Sequence, residues 1–459
     1  MTRKTRSPGV QSAHGALGTE AQTAQSTLAL SAVVDRPLVW RRGGSVRYVV
    51  ATVQAAAKPT PAGADPRPLN VALVVDASGS MAGARLEAAK RAASVIVEAL
   101  GPRDRISIVS FASDVQIHVD GSACDDAGRD AAVAALAALE PRGSTNLAAG
   151  WFQGAECVAR VESIHSGSQC RVLMLSDGMA NQGLVEPAEL AVHASAMRDR
   201  GIFTSCVGIG DDYSTEQMQA LADHGGGRMH DAERPGEIAE VVVAELRDMA
   251  HAAAEAVRVE LRAPAGVRVV ALGGFPTQSL NDGLACVIGS LPAGARRRAI
   301  FRLTCPAGKL GDALALQVSG AWRVPGSGAE LQLDRLAPSV QFAPGRDNSA
   351  QSRDIASSIE VAQTWQADIV RAAIRMNRDG RVREAAAWLM QQLRHFERYA
   401  RDLPGGAALI DELQRTARRV MRPMHERSRK EIDLAMYQRV RLQADARHEK
   451  RAEWGAFLD

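Results

Sequence analysis

From Asn70 onward the chain alternates short apolar runs with amphipathic stretches, and this alternation restricts it to a small set of folds. The runs Val71–Val75, Ile106–Phe111, Arg171–Leu175 and Ile202–Gly208, with a shorter one near Arg228–Asp231, have the length and apolar character of strands. Between the first two, Leu86, Ala89, Ala93, Ile96, Val97 and Leu100 share one helical face of Leu86–Leu100. Further helices are expected at Asp130–Leu139, Leu147–Ile164, Pro187–Arg200, Thr215–His224 and Pro235–Ala250. Strands alternating with helices build a mostly parallel sheet covered on both faces. Residues 68–250 are therefore expected to form one doubly wound α/β domain, of ordinary size for a single domain.

The flanks read differently. Residues 28–56 hold two strands, Leu28–Val34 and Val46–Val53, joined through Arg41-Arg42-Gly43-Gly44, and a Pro/Ala/Gly-rich linker runs from Ala57 to Pro68. After Ala256 come β-type segments at Val257–Ala263, Val267–Leu272, Leu284–Leu291, Arg298–Thr304, Ala313–Val318 and Glu330–Leu333, punctuated by Gly and Pro as in a sandwich. A lone two-stranded unit is barely stable in water. Residues 28–56 are thus expected to pair with the β-sandwich-like segment 256–345, with the α/β domain inserted between them. From 351 to 459 the spacing turns helical, with stripes at Ile355, Ile359, Ala362, Trp365, Ile369, Ala373 and Met376, then Val382 to Phe396, then Ile410 to Val420. A final charged helix is expected over Arg427 to Trp454, completing a C-terminal helical bundle.

Composition bounds the function. A chain of 459 residues suggests two to four domains. With aromatics at 4%, Ala, Val and Leu must do most of the packing. A net charge of +3 points to neither nucleic acid nor a membrane surface. Six cysteines occur without a Cys-x-x-Cys pair, so a zinc cage is not indicated, and buried thiols in a reducing compartment are the expectation. Residues 1–27 are polar and read as a disordered leader, because Arg3, Lys4 and Arg6 are not followed by an apolar signal core. No window reaches the roughly 18 apolar residues of a membrane span, so a cytoplasmic protein is expected.

The chemistry concentrates at Leu73-Val74-Val75-Asp76-Ala77-Ser78-Gly79-Ser80. An apolar strand ends there in Asp-x-Ser-x-Ser, placing a carboxylate and two hydroxyls on the turn that leaves it. Two later pieces match: Thr145 in Gly143-Ser144-Thr145-Asn146, and Asp177 at the end of Val172–Ser176. Oxygen-only donors suit a hard divalent cation such as Mg²⁺ or Mn²⁺. Hydroxyls bring lone pairs without charge, so a site with two carboxylates leaves the ion electrophilic and able to take an anionic ligand from outside. The alternative use of Asp76, Ser78 and Ser80 is to cap the helix beginning near Arg85.

These residues resemble the von Willebrand factor type A family, whose metal-ion-dependent adhesion site is Asp-x-Ser-x-Ser, a distant Thr and a distant Asp. Gly101-Pro102-Arg103-Asp104-Arg105, Ser176-Asp177-Gly178 and Gly208-Ile209-Gly210 extend the resemblance over about residues 68–250. It implies a Rossmann-like domain in which Ser78 and Ser80 ligate the metal directly, Asp76 acts mainly through water, and Thr145 and Asp177 complete the shell. The sixth ligand would be an Asp or Glu carboxylate of a protein partner, with Mg²⁺ or Mn²⁺ favoured over Ca²⁺ by the short hydroxyl ligands. The surrounding strands and helical tail look like bacterial proteins related to calcium-activated chloride channel homologues.

A non-enzymatic, metal-dependent binding or scaffold protein is the function this resemblance implies. A metal-assisted, phosphatase-like hydrolase is the alternative, although phosphate-loop, Asp-x-Asp, Gly-x-Ser-x-Gly and His-Glu-x-x-His motifs do not occur. A membrane- or channel-associated subunit is suggested only by the kinship in name. His165, His193, His224 and His230 lack ligand spacing and read as packing or surface residues. The segment Arg418–Arg451, with eleven Lys or Arg, reads as a solvated helical face.

Overall fold

The computed structural model describes residues 27–57, 67–210, 213–232, 243, 252–325 and 329–441. The expected leader apart from Thr27, the linker apart from Ala57, Arg67 and Pro68, the helix Pro235–Ala250 apart from Val243, and the tail beyond 441 lie outside these. Three strands open the described chain: β1 (Leu28–Val34), β2 (Leu38–Trp40) and β3 (Val46–Ala55). The α/β unit follows as β4 (Leu69–Asp76), α1 (Ala84–Ala99), β5 (Arg105–Phe111), β6 (Val115–Ala123), α2 (Asp126–Ala137), α3 (Leu147–Ile164), β7 (Gln169–Ser176), α4 (Pro187–Asp199), β8 (Ile202–Ile209), α5 (Thr215–His224) and β9 (Gly226–Ala232).

Its sheet has the order β6-β5-β4-β7-β8-β9, parallel except for the edge strand β6. Every residue of β4, β7 and β8 is buried. Burial on both faces explains why these strands read as apolar runs rather than alternating ones. The order reverses at β4, whose neighbours are β5 on one side and β7 on the other. Such a switch point opens a crevice beyond the carboxyl ends of the strands. Helix α3 lies close on the sheet because Gly150 and Gly154 face it. A Cβ on Gly150 would come 2.5 Å from the Phe111 ring, and one on Gly154 would come 2.4 Å from Val74 Cγ2.

The strand β6 was not expected. Most of its residues are exposed or half-buried, so it carries little apolar signal. Helix α2 begins earlier than Asp130, because Asp125 caps it by accepting from Gly128 N at 2.8 Å.

Nine more strands follow: β10 (Ala252–Arg262), β11 (Arg268–Leu272), β12 (Thr277–Leu280), β13 (Gly283–Pro292), β14 (Arg296–Thr304), β15 (Ala313–Ala315), β16 (Gln317–Arg323), β17 (Glu330–Leu336) and β18 (Ser339–Ala343). They join the first three in sheets β1-β3-β14-β11, β12-β13-β10-β16-β17 and β15-β18-β2. Strand β3 is internal, with Val49 opposite Val34 of β1 and Phe301 of β14. Val49, Val53, Val257, Val259, Phe301, Leu303 and Trp322 share one core. The run Ala313–Val318 divides between two strands that enter different sheets, β15 beside β18 and β16 beside β10.

A short α6 (Gly345–Ala350) leads to α7 (Ile355–Arg378), α8 (Val382–Ala400), α9 (Gly406–Val420) and α10 (Glu426–Arg441). Asp354 caps α7 by accepting from Ser357 N at 2.7 Å. Ile369, Ile374, Leu389, Phe396, Leu413 and Val420 form the core of this region. The helices also grip the α/β unit through α5. Arg371 donates to Asp433 Oδ1 at 3.1 Å and to Gln219 Oε1 at 3.0 Å, and Tyr437 donates to Asp223 Oδ1 at 2.7 Å. All six cysteines are free and buried. Among the described residues no helix is long and apolar enough to cross a membrane.

Candidate metal centre

The carboxyl ends of β4 and β7 lie side by side, with Val75 opposite Leu175. Beyond Asp76 the chain turns sharply through a 3-10 turn at Gly79–Met81, pinned by the buried Met81. Asp76 is fully buried, and both its oxygens are engaged. Oδ1 accepts from Ser78 N at 2.8 Å, and Oδ2 accepts from the Ser176 hydroxyl. Burial pushes its carboxyl above the ordinary range, against the hydrogen bonds from Ser176 and Ser78, and nearby Asp177 pushes the same way.

Ser78 Oγ and Ser80 Oγ are 3.0 Å apart, and Ser80 Oγ donates to Asp177 Oδ1 at 2.9 Å. Asp177 Oδ2 accepts from Arg85 Nη1 at 2.7 Å. The loop bearing Thr145 is fastened to the same turn. Arg142 N donates to Ala77 O at 2.6 Å, Gly79 N to Gly143 O at 3.0 Å, and Asn146 N to Ala112 O at 2.9 Å. Gly143 has φ +56°, and a Cβ there would lie 2.0 Å from Ser113 Oγ, so this fastening requires glycine. Gly178 forms the floor between the two halves: a Cβ on it would be 3.4 Å from Thr145 Oγ1 and 3.6 Å from Asp76 Oδ2. Asp76, Ser78, Ser80 and Asp177 are thus joined in one hydrogen-bonded cluster, and Thr145 Oγ1 borders Gly178 as Asp76 Oδ2 does.

The donor set suits a small hard cation. Adjacent ligands of an octahedral ion at ~2.1 Å are about 3.0 Å apart. The Ser78–Ser80 and Ser80–Asp177 oxygen pairs, at 3.0 and 2.9 Å, have that spacing. Three or more His, Cys, Asp or Glu in metal-holding proximity do not occur among the described residues. The centre reaches five oxygens only by counting hydroxyls, which disfavours soft metals. Ser80 is exposed whereas Asp76, Ser78 and Asp177 are buried, so the cluster opens to solvent on the serine side.

Helix capping does not account for these residues. Gly83 is the N-cap of α1, with no side-chain cap bond, and Ser78 caps the 3-10 turn with none either. Two contributing residues escaped the sequence reading. Ser176 could have been found by pairing β7 with β4, which sets it beside Asp76. Arg85 gives no signal, because an arginine in the first turn of a helix reads as surface charge. The histidines stay apart from the centre: His193 meets Phe152 edge-on at 5.3 Å, and His224 pairs with Ser195 at 3.3 Å.

Comparison with known proteins agrees with this architecture. Residues 69–231 match the sequence profile of the von Willebrand factor type A domain. The uncharacterized protein YfbK of Escherichia coli is 27% identical over 247 residues, 51% of this chain and 41% of that protein. Human inter-alpha-trypsin inhibitor heavy chain H3 is 29% identical over 166 residues, 34% of this chain and 18% of that protein. The matches thus span less than half the length of these relatives. Among solved structures, a von Willebrand factor type A protein from Catenulispora acidiphila superposes with TM-score 0.64 at 17% identity, covering 84% of this chain and 89% of that one. The ArnB paralog VWA2 from Sulfolobus acidocaldarius gives 0.53 at 17% identity, covering 89% and 98%. At such identities these two show the fold alone, and it is residues 69–231 that match a von Willebrand factor type A domain.

Proposed function

We propose that this protein is a non-enzymatic, metal-dependent binding scaffold. Asp76, Ser78, Ser80, Thr145 and Asp177 hold Mg²⁺ or Mn²⁺, and the ion takes an Asp or Glu carboxylate from a protein partner. The observation that carries this reading is the cluster of hydroxyl and carboxylate oxygens beyond the carboxyl ends of β4 and β7, exposed on the side of Ser80. When bound, the ion supplies a Lewis-acidic position for an anion, and two carboxylates neutralise it without excess. The chain's own groups orient the site. Ser176 and the Ser78 amide hold Asp76, while Ser80 holds Asp177.

Capture is preferred over turnover because Asp76, held by Ser78 and Ser176, and Asp177, held by Ser80 and Arg85, are assigned to the ion rather than to a nucleophile or base. We take the strands at 28–56 and 256–345 as the β-sandwich-like host of the inserted domain, and the helices from 351 as its brace. Titrating Mn²⁺ into the purified protein tests the reading directly. Saturable binding that Asp76→Ala abolishes, together with partner recovery in Mg²⁺ but not in EDTA, is the expected result. Absence of ion binding would remove the basis for it.

A further inference from the structure

We propose that the cavity between the end of α9 and the start of α10 is a binding site for linked phosphates, the chemistry shared by free polyphosphate and a nucleoside triphosphate. It lies outside the metal centre and does not depend on it. The cavity has a volume of about 550 Å³, within the range of roughly 300–1,000 Å³ of small-molecule sites. Its polar lining is Arg418, Arg419, Arg422, His425 and Ser428, and no carboxylate lines it. The three arginines are exposed, and among the described residues none of them is ion-paired. Helix-end electrostatics accounts for only part of this charge. Arg418 and Arg419 sit in the last turn of α9, where cations balance the helix dipole. Arg422 and His425 lie past that helix, so its dipole does not call for them.

The frame beneath these side chains is fixed. Buried Asn377 of α7 donates from Nδ2 to Val420 O at 2.6 Å and to Arg422 O at 2.8 Å, which pins the link between the two helices. The neighbouring acid, Glu426, is engaged by Arg378 at 3.0 Å and by Arg429 at 3.1 Å, so it does not neutralise the cavity. The first turn of α10 contributes Ser428 and the positive end of a 16-residue helix. Guanidinium forks take phosphate oxygens in pairs, which suits Arg to such a ligand. Linked phosphates bring several charges into one cavity, whereas peptide carboxylates are spread along a backbone that advances about 3.3 Å per residue. Three arginines around one cavity with no acid among them therefore favour the compact polyanion.

Isothermal titration calorimetry on the full chain tests this, in metal-free buffer with sodium tripolyphosphate and ATP as separate titrants. Saturable binding of at least one of them is expected, and Asp76→Ala should bind equally, because the metal centre takes no part. Arg422→Gln should weaken binding by about tenfold, and Arg419→Gln with Arg422→Gln by about a hundredfold, as one and then two charge-assisted contacts are lost. If that double variant is not recovered folded, Arg418→Gln with Arg422→Gln serves the same comparison. Arg401 is exposed and lies beyond the opposite end of the 15-residue α9, roughly 20 Å away. Arg401→Gln removes the same charge there and should stay within about twofold at 0.1 M salt. ATP bound at least as tightly as tripolyphosphate assigns the site to nucleotides, and tripolyphosphate bound alone assigns it to free polyphosphate. Absence of saturable binding by both, equal weakening by R401Q and R422Q, or tighter binding of a hexaglutamate peptide overturns the proposal.

Discussion

Ser80 Oγ donates to Asp177 Oδ1 at 2.9 Å although 97 residues of chain separate them. This bond ties the turn after β4 to the end of β7. Ser80→Ala leaves a buried carboxylate oxygen without its donor, which costs roughly 1–3 kcal/mol. The variant is expected to melt below wild type in EDTA and to lose most of its Mn²⁺ affinity, both measurable on one preparation by calorimetric scanning and titration.

Close packing of α3 on the sheet gives a second prediction. Gly154→Ala would drive a methyl to 2.4 Å from Val74 Cγ2, and Gly150→Ala would drive one to 2.5 Å from the Phe111 ring. Neither neighbour is a flexible chain end, so the helix must lift. Each substitution is expected to cost about 1–3 kcal/mol, read as a lowered denaturant midpoint. An unchanged midpoint in both would mean that this seam is looser than the geometry implies.

The clasp that α7 and α10 close around Gln219 of α5 can be tested through Arg371 and Asp433, which each bond Gln219, are nearly buried and lie 3.1 Å apart. Asp433→Ala strands a buried guanidinium and should destabilise by about 3–5 kcal/mol. Replacing both residues by apolar ones of similar volume, as in Arg371→Met with Asp433→Leu, should recover much of that loss. A double-mutant cycle measures the coupling, and additive effects would argue that the pair is not what holds α7 and α10 together around Gln219.

Asp368 carries the pH dependence. It accepts from Gly273 N at 2.9 Å where a sandwich loop meets α7, and burial pushes its carboxyl from 3.8 up to about 6, against Arg371 and Arg375. Between those values the folded protein holds a proton that the unfolded chain has lost. Stability therefore falls as pH rises through this window, by about 3 kcal/mol in all, and the contribution is flat above it. Asp368→Asn should remove the slope and stabilise the protein near neutrality, as unfolding midpoints across pH would register.

The α/β unit was legible because strands buried on both faces must be apolar throughout, as β4, β7 and β8 are. Asp76 and Asp177 stood out because each interrupts such a run at its carboxyl end. What escaped did so for physical reasons. Edge strand β6 shows Gln116, His118 and Asp120 to solvent, so neither a clean alternation nor an apolar run marks it. β15 and β16 are separated by the single residue Leu316, itself buried, so no polar break announces the change of sheet. Arg85 was invisible because its importance lies in Asp177, across the crevice and 92 residues away.

The internal position of β3 has a consequence for synthesis. Ala55 N, at the end of β3, must wait some 240 residues (295 − 55) for the carbonyl of Ala295 that it bonds. At ordinary ribosomal speeds this is a delay of roughly ten to fifty seconds. Throughout that interval one edge of β3 lies open on the nascent chain, while the intervening domain has time to complete itself. The newborn polypeptide thus presents a sticky ribbon beside a finished globule, and this is the stage at which it most needs a chaperone's shelter.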